Sequence, residues 1–392
     1  MDTVSLSGQH HAVAVKEKCM EKDLILYIGT YGTPLKMGDG TIYRGKGKGI
    51  YTCYMDSQSG EIIAGPVNEE TSNTSWIERS QDGKFLYAVN ELDEFEGKEQ
   101  GAVSSFSVCG GGKPALIGSL ATGGKAPCHL CLNKEGTFLA AANYSSGSIS
   151  LFNLKDGKII GQTQGIFHTG KGADPLRQEC SHLHSVLLDR KEKHLLAVNL
   201  GDDTITVYRK EEKDGIVSEQ PDFVYHGFPG SGLRSMVFTS DCRFLYVTGE
   251  LDVSVYALKY DENTGSLEYL QKAEAYEGER QDFYDAAGAV ISPDDRYLYV
   301  STRGSNKIAV YSIEQATGYL TPVQFIDTDG KNPRSLALDP AGRWVIAGNQ
   351  DSDSLTVYKR DMENGQLSLW NRFLVPTPVC VKIYNNPSGI SD

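Results

Sequence analysis

One short apolar pattern returns seven times along this chain and limits the folds available to it. Each copy ends in a small residue followed by a variable one, and successive copies end 60, 53, 56, 50, 53 and 47 residues apart. A period of about fifty residues built from strand-length runs is typical of a radial β-repeat, in which no single repeat can bury its apolar face. Seven copies therefore predict an all-β fold, a seven-bladed β-propeller. The copies are LYIGTY ending at Tyr31, LYAVNE at Glu91, LAAANY at Tyr144, LLAVNL at Leu200, LYVTGE at Glu250, LYVSTR at Arg303 and VIAGNQ at Gln350.

Each copy forms the second strand of a four-strand unit. A strand-like segment and a polar turn precede six of the copies, as MVFTSDCRF precedes LYVTGE. A third strand follows every copy, and a glycine turn then opens a fourth strand. Glycine supplies the positive φ that tight hairpins need, so four antiparallel strands are predicted for each blade. These turn glycines are Gly60, Gly112, Gly157, Gly215, Gly265, Gly318 and Gly365.

The first unit lacks its first strand, and a spare strand lies at the other end of the chain. No suitable segment precedes Leu24, whereas TPVCVKIYN runs from Thr377 to Asn385. We expect this C-terminal strand to close the ring by pairing with the N-terminal strands, because closure removes exposed sheet edges. The predicted organisation is a flexible leader over residues 1–23, a single propeller over 24–385 and a tail over 386–392.

Composition limits the binding partners and the cellular compartment that we expect for this protein. The formal net charge of −13 argues against a nucleic-acid partner, and no run reaches the roughly 18 apolar residues of a membrane span. Eight cysteines without a signal-peptide pattern predict reduced thiols in the cytoplasm. No His, Cys or Asp cluster has convincing ligand spacing, so neither a metal nor a cofactor is predicted. We expect a monomer or a weak homodimer.

Two sets of equivalent positions place unlike, chemically active residues at one end of the ring. Counting back eleven residues from each second strand gives a first column that includes His184, Arg234 and Arg334. Hairpin geometry sets this column beside a second one, which follows the second strands and includes Glu91, Glu250 and Arg303. Carboxylates, an imidazole and guanidinium groups around one channel predict a site for an anionic, ester-like substrate. The alternative is that these charges pair with one another and hold the blades together.

Long connections should lie at the same end of the ring. The segments 32–48, 92–101, 167–181 and 276–286 are longer than their counterparts in other units, and long loops on a rigid scaffold often carry function. Arg177, on the third of these segments, is a candidate substrate-binding residue. His182 shares a strand face with His184, and it either assists substrate binding or packs against the adjoining loop.

Several segments together resemble one known family. They are the YIGTY opening, RQECSHLHSVLLD, NLGDDTITVY, GLRSMVF leading to YVTGEL, LYVSTRGSNKIAVY and NPRSLALDPAGRW. The chain resembles the lactonase family of seven-bladed propellers, which includes propeller-type 6-phosphogluconolactonases and fungal carboxymuconate lactonizing enzymes. The resemblance implies a functional His, Arg, Glu and Arg, which fall on His184, Arg234, Glu250 and Arg303.

The resemblance also implies an activity: hydrolysis of a sugar lactone, with 6-phosphogluconolactone of the pentose phosphate route as the first candidate. His184 or Glu250 would act as the general base, while Arg234 and Arg303 would bind the anionic substrate and stabilise the oxyanion. Two alternatives remain at this point: a muconate-type lactonizing cycloisomerase, and a non-catalytic propeller that binds a metabolite or a protein. The further substrate-binding candidates are Arg177, His182, Arg334 and Glu91.

Overall fold

The structure is a computed structural model, and it describes residues 22–108, 112–211 and 215–386. The predicted leader and tail therefore lie outside the described residues, except for Lys22, Asp23 and Asn386. Lys22 Nζ lies 2.9 Å from a carboxylate oxygen of Glu61, and the backbone N–H of Asn386 donates to the carbonyl of Asp23. Across the described residues, no helix combines the length and the apolar character needed to cross a membrane.

The described residues form thirty β-strands and one short 3-10 helix, Gln350–Ser352. In the first half of the chain the strands are β1 (Leu24–Thr30), β2 (Pro34–Lys36), β3 (Ile42–Arg44), β4 (Ile50–Met55), β5 (Ile62–Asn68), β6 (Thr74–Arg79), β7 (Phe85–Asn90), β8 (Ala102–Val108), β9 (Pro114–Ala121), β10 (Pro127–Leu132), β11 (Phe138–Asn143), β12 (Ser148–Lys155), β13 (Lys158–Phe167), β14 (Leu183–Leu188) and β15 (His194–Asn199). In the second half they are β16 (Thr204–Arg209), β17 (Phe223–His226), β18 (Leu233–Phe238), β19 (Phe244–Gly249), β20 (Ser254–Tyr260), β21 (Leu267–Glu274), β22 (Asp285–Ile291), β23 (Tyr297–Arg303), β24 (Lys307–Ile313), β25 (Leu320–Asp327), β26 (Pro333–Leu338), β27 (Trp344–Asn349), β28 (Ser354–Arg360), β29 (Leu367–Leu374) and β30 (Pro378–Asn385).

Twenty-eight of these strands form seven four-stranded antiparallel sheets, which confirms the predicted propeller. Blade 1 has the order β30-β1-β4-β5, and the next blades are β6–β9, β10–β13, β14–β17, β18–β21, β22–β25 and β26–β29. The remaining two strands, β2 and β3, form a separate hairpin within the long connection between β1 and β4.

The ring closes as predicted, through the C-terminal strand. β30 pairs antiparallel with β1 from Leu24 opposite Asn385 to Thr30 opposite Pro378. The apolar core between blades 7 and 1 then includes Trp344 and Val381 as buried side chains. Burial of each large apolar side chain contributes about 1.5–3 kcal/mol, so the two ends of the chain are held together by packing as well as by hydrogen bonds.

The hairpin glycines between third and fourth strands serve both conformation and packing. All seven have φ between 73° and 77°, in the left-handed region that favours glycine. A Cβ on Gly60 would come within 2.7 Å of the Trp344 ring of the neighbouring blade. The indole N–H of Trp344 also donates to the carbonyl of Ser57 at 2.8 Å, so each hairpin is seated against the blade beside it.

Candidate active site

A β-bulge occurs in the innermost strand of every blade, and it falls on the first column predicted from the sequence. The register against the second strand shifts by one residue at each of these positions. A bulged residue has no partner across the ladder and its side chain is re-aimed, here into the central channel. The bulges include Ser75, Cys128, His184, Arg234, Ala287 and Arg334, and the closing strand β30 contributes Val379.

The second column lies directly beside the first at the same end of the channel, which we call the mouth. The backbone N–H of Glu250 donates to the carbonyl of Gly232, and the N–H of Tyr144 donates to the carbonyl of Ala126. Each residue that ends a second strand is thereby fixed next to the start of the inner strand.

Glu250 is the centre of the most heavily charged part of the mouth. Its buried carboxylate lies 2.6 Å from Nε of Arg234 and 3.0 Å from a terminal nitrogen of Arg303, and it also accepts a hydrogen bond from Arg177. Burial alone would raise the pKa of Glu250. The three guanidinium groups outweigh burial and hold this pKa well below its usual range. We call these four residues the Glu250 cluster.

Asp285 extends the Glu250 cluster at its outer side. A carboxylate oxygen of Asp285 lies 3.3 Å from Arg303, and burial raises the pKa of this aspartate despite its arginine neighbours. Arg303 therefore bridges two carboxylates whose pKa values are shifted in opposite directions, that of Glu250 downwards and that of Asp285 upwards. Nothing in the repeat pattern indicated Asp285, because it lies two residues before a column position occupied by Ala287.

His184 faces the same channel as an uncharged, almost fully buried imidazole. Burial lowers its pKa well below the usual range, and the positive charge of Arg234 lowers it further. Its Nδ1 atom is buried without a hydrogen-bond partner. The thiol of Cys128 donates to the backbone carbonyl of His184 at 3.3 Å, which links the bulges of adjacent blades.

An aromatic side chain that sequence reasoning missed contacts both histidines. The Tyr144 ring stacks on His182 with centroids 4.5 Å apart and meets His184 edge-on at 5.6 Å. Tyr144 belongs to the second column, so its position was predictable although its contacts were not. The tip of the β2–β3 hairpin covers this group, since a Cβ on Gly38 would lie 2.7 Å from the Tyr144 hydroxyl.

Arg334 and Glu91 form a separate ion pair beside the Glu250 cluster. Their nearest charged atoms are 3.5 Å apart, and the Tyr31 hydroxyl donates to the same Glu91 oxygen at 2.7 Å. The Arg334 guanidinium also lies over the Tyr31 ring. This pair joins blades 7, 2 and 1, as the blade-to-blade alternative predicts for part of the charged ring.

Two cavities adjoin the Glu250 cluster. A channel cavity of about 290 Å³ is lined by His184, Arg234 and Arg334, and a mouth cavity of about 420 Å³ is lined by Arg177, Arg303 and Asp285. Four guanidinium groups and three carboxylates meet here in a protein whose formal net charge is −13. These seven side chains thus form a local cationic group with one more guanidinium group than carboxylates, and the mouth cavity is lined in addition by Asp39, Asp351 and Lys331.

All eight predicted site residues lie at this end of the channel. His184, Arg234, Glu250 and Arg303 are brought together, with Arg177 joining them from the loop 167–181. His182 contacts Tyr144, while Arg334 and Glu91 pair with each other. The arrangement can bind an anion through guanidinium groups and offers an uncharged imidazole to accept a proton.

Comparison with known proteins covers nearly the whole ring. Residues 25–383 match the sequence profile of the family described as "Lactonase, 7-bladed beta-propeller". The chain is 29% identical over 347 residues to a 6-phosphogluconolactonase of Bacillus subtilis, covering 88% of this chain and 96% of that protein. It is 32% identical over 328 residues to a 6-phosphogluconolactonase of Formosa agariphila, covering 82% of this chain and 91% of that protein. The solved structure of a periplasmic gluconolactonase of Pseudomonas aeruginosa superposes with a TM-score of 0.83 at 29% identity, covering 93% of this chain and 99% of that one.

Proposed function

Because the chain belongs to the family of seven-bladed β-propeller lactonases, we propose that it hydrolyses an anionic sugar lactone, with 6-phosphogluconolactone as the first candidate. The observation that carries this proposal is the grouping of Arg177, Arg234 and Arg303 around the buried Glu250, beside an uncharged His184. A phosphate or carboxylate group complements such a cationic centre, and a planar guanidinium binds either group through two parallel hydrogen bonds.

In the proposed reaction His184 is the general base. It removes a proton from a water molecule whose oxygen attacks the carbonyl carbon of the lactone. The resulting tetrahedral oxyanion is stabilised by Arg234 and Arg303, and its collapse breaks the ring C–O bond. The ring oxygen then takes up a proton from the imidazolium, so His184 returns to its uncharged state.

The electrostatics favour His184 over Glu250 as the base. Glu250 is ionised, but three guanidinium groups stabilise its negative charge and make it a weak proton acceptor. His184 is uncharged, and its buried Nδ1 has no protein partner. A bound anionic substrate would offset the field of Arg234 and raise the pKa of His184 towards the range in which a base is effective. Glu250 then serves to hold the arginines in place.

The proposal is tested by a substrate panel with the full-length protein. Initial rates are measured for 6-phosphogluconolactone, for unphosphorylated glucono-1,5-lactone and for 3-carboxymuconate, and the spontaneous hydrolysis of each lactone is subtracted. We expect kcat/KM for the phosphorylated lactone to exceed that for the unphosphorylated lactone by at least about tenfold, which corresponds to about 1.4 kcal/mol.

Each other outcome contradicts a defined part of the proposal. A preference for the unphosphorylated lactone would contradict recognition of the phosphate but leave lactone hydrolysis in place. Turnover of 3-carboxymuconate alone would favour the cycloisomerase. Rates equal to the spontaneous rates for every compound would favour the non-catalytic propeller.

A further inference from the structure

Beside the aromatic pair of Tyr144 and His182, three potential metal ligands converge. In the described part of the chain, one group of His, Cys, Asp or Glu side chains has three ligand atoms within 4.8 Å of one another, and it consists of Glu179, Cys180 and His182. Nε2 of His182 lies 3.3 Å from Oε1 of Glu179 and 3.7 Å from Sγ of Cys180, and that Sγ lies 3.9 Å from Oε1. Local sequence spacing did not indicate this group, because its members are one, two and three residues apart in an irregular segment.

The hydrogen bond made by Nδ1 of His182 determines that Nε2 is the ring nitrogen available to Glu179 and Cys180. Nδ1 lies 3.2 Å from the backbone carbonyl of Tyr144. A carbonyl oxygen can only accept, so Nδ1 carries a proton and Nε2 is the ring nitrogen that faces a carboxylate oxygen of Glu179. Lone pairs on the two atoms would repel each other at this distance unless a proton or a metal ion lies between them.

The spacing of the three atoms fits a metal ion. In a tetrahedral zinc site, with Zn–N and Zn–O about 2.0 Å and Zn–S about 2.3 Å, neighbouring ligand atoms are about 3.3–3.6 Å apart. The three separations at Glu179, Cys180 and His182 lie within about 0.4 Å of these values. The Nδ1–H bond to a backbone carbonyl is also the usual second interaction of a zinc-bound histidine.

From this geometry we propose that Glu179, Cys180 and His182 form a binding site for a zinc ion. A thiolate, an imidazole and a carboxylate together select a borderline-soft cation such as Zn²⁺ over Mg²⁺ or Ca²⁺, which prefer oxygen ligands. The Cys180 thiol gives up its proton to solvent as the Zn–S bond forms. The fourth coordination position is left for water or for an oxygen of another molecule.

The site is accessible to ions from solution and goes beyond the proposed lactone hydrolysis. The Glu179 side chain is 53% exposed and Cys180 is exposed, whereas the His182 side chain is only 7% exposed. Zinc would thus tie an exposed loop to a buried ring that already stacks on Tyr144. The same loop carries Arg177, so occupancy of the site would restrain the segment that reaches the Glu250 cluster.

Calorimetric titration of the reduced, metal-free, full-length protein with Zn²⁺ tests this site. We expect one saturable site per chain, no comparable binding of Mg²⁺, and a thiolate-to-metal absorption band when Co²⁺ is used instead. Cys180→Ser should weaken Zn²⁺ binding by at least about 100-fold and remove the band, since even partners outside the ligand sphere are worth about 10–100-fold. Glu179→Gln should weaken binding by at least about tenfold.

Glu277→Gln, which alters an exposed glutamate on another long loop, is the matched control and should bind as the wild type does. The absence of saturable Zn²⁺ binding would overturn the proposal. Binding of unchanged affinity in Cys180→Ser would overturn it equally, because the zinc would be held elsewhere on the chain. Because both substituted side chains are exposed, each variant should fold as the wild type does, and an unchanged melting temperature checks this.

Discussion

At the scale of single residues, the Arg234 guanidinium acts in the same direction on two groups of opposite chemistry. Together with Arg303 and Arg177 it lowers the pKa of Glu250, which keeps Glu250 ionised. Burial and then Arg234 lower the pKa of His184, which keeps His184 uncharged. Position along the repeat was enough to predict that these residues meet, because hairpin register fixes the two columns. The contact of Arg177 with Glu250 was not predictable, since it depends on the path of a long loop whose backbone follows no repeat.

The pH dependence of kcat/KM distinguishes the two candidate bases. If His184 is the base, its protonation abolishes activity, so the acidic limb should lie below the ordinary histidine pKa of about 6.5. His184→Gln should remove this limb. Glu250→Gln should keep the limb and move it to lower pH, because the negative charge of Glu250 raises the pKa of His184 and its loss leaves the arginines unopposed. Loss of the limb in Glu250→Gln, with retention in His184→Gln, would identify Glu250 as the base instead.

The arginines should matter for their shape as well as for their charge. Arg234→Lys and Arg303→Lys keep a positive charge but lose the planar fork, and hydrogen bonds to charged groups are worth about 1.5–3 kcal/mol. We expect kcat/KM for 6-phosphogluconolactone to fall about 10–100-fold with little change in melting temperature. Arg243→Lys, at the exposed turn between β18 and β19, the end of this hairpin opposite the mouth, is the control. Wild-type activity in both substituted site variants would mean that these arginines only join blades.

At the scale of structural elements, the bulge in each inner strand directs one side chain into the channel, where it can contact a substrate. Without a shift of register, Arg234 would stand opposite a residue of β19 rather than project into the channel. The strands, their order and the closing role of β30 follow from apolar alternation and turn glycines, which are local signals. The bulges do not, because a bulge is a shift of register between two paired strands, which no pattern within one strand records.

Ring closure by β30 can be tested by truncation. Ending the chain after Leu374 removes β30 and exposes an edge of β1 and the inner face of blade 1, so we expect aggregated or unfolded protein. Ending it after Asn386 retains every β30–β1 pair and serves as the control. The substitution Ile383→Ala should cost about 2–5 kcal/mol, as buried large-to-small changes do. Wild-type melting and solubility of the chain that ends at Leu374 would contradict closure by this strand.

At the scale of the whole molecule, an acidic propeller holds a cationic centre. The formal net charge of −13 belongs to the chain as a whole, whereas Arg177, Arg234, Arg303 and Arg334 converge on the channel. Sequence composition indicated the net negative charge but not the cationic centre, because net charge does not say where charged side chains meet. The fold creates that centre by bringing equivalent positions from separate blades to one axis. The hairpin β2–β3 covers part of the mouth.

The central claim, that the channel centre is a lactone-hydrolysing site with His184 as its base, is tested most directly by one comparison of rates. The catalysed hydrolysis of 6-phosphogluconolactone is measured for the wild type, for His184→Gln and for His226→Gln, whose exposed histidine lies on β17, with the spontaneous rate subtracted. General base catalysis contributes about 10²–10⁴-fold, so His184→Gln should lower kcat by that factor at an unchanged melting temperature, while His226→Gln matches the wild type. Full catalysed turnover in folded His184→Gln would contradict this account.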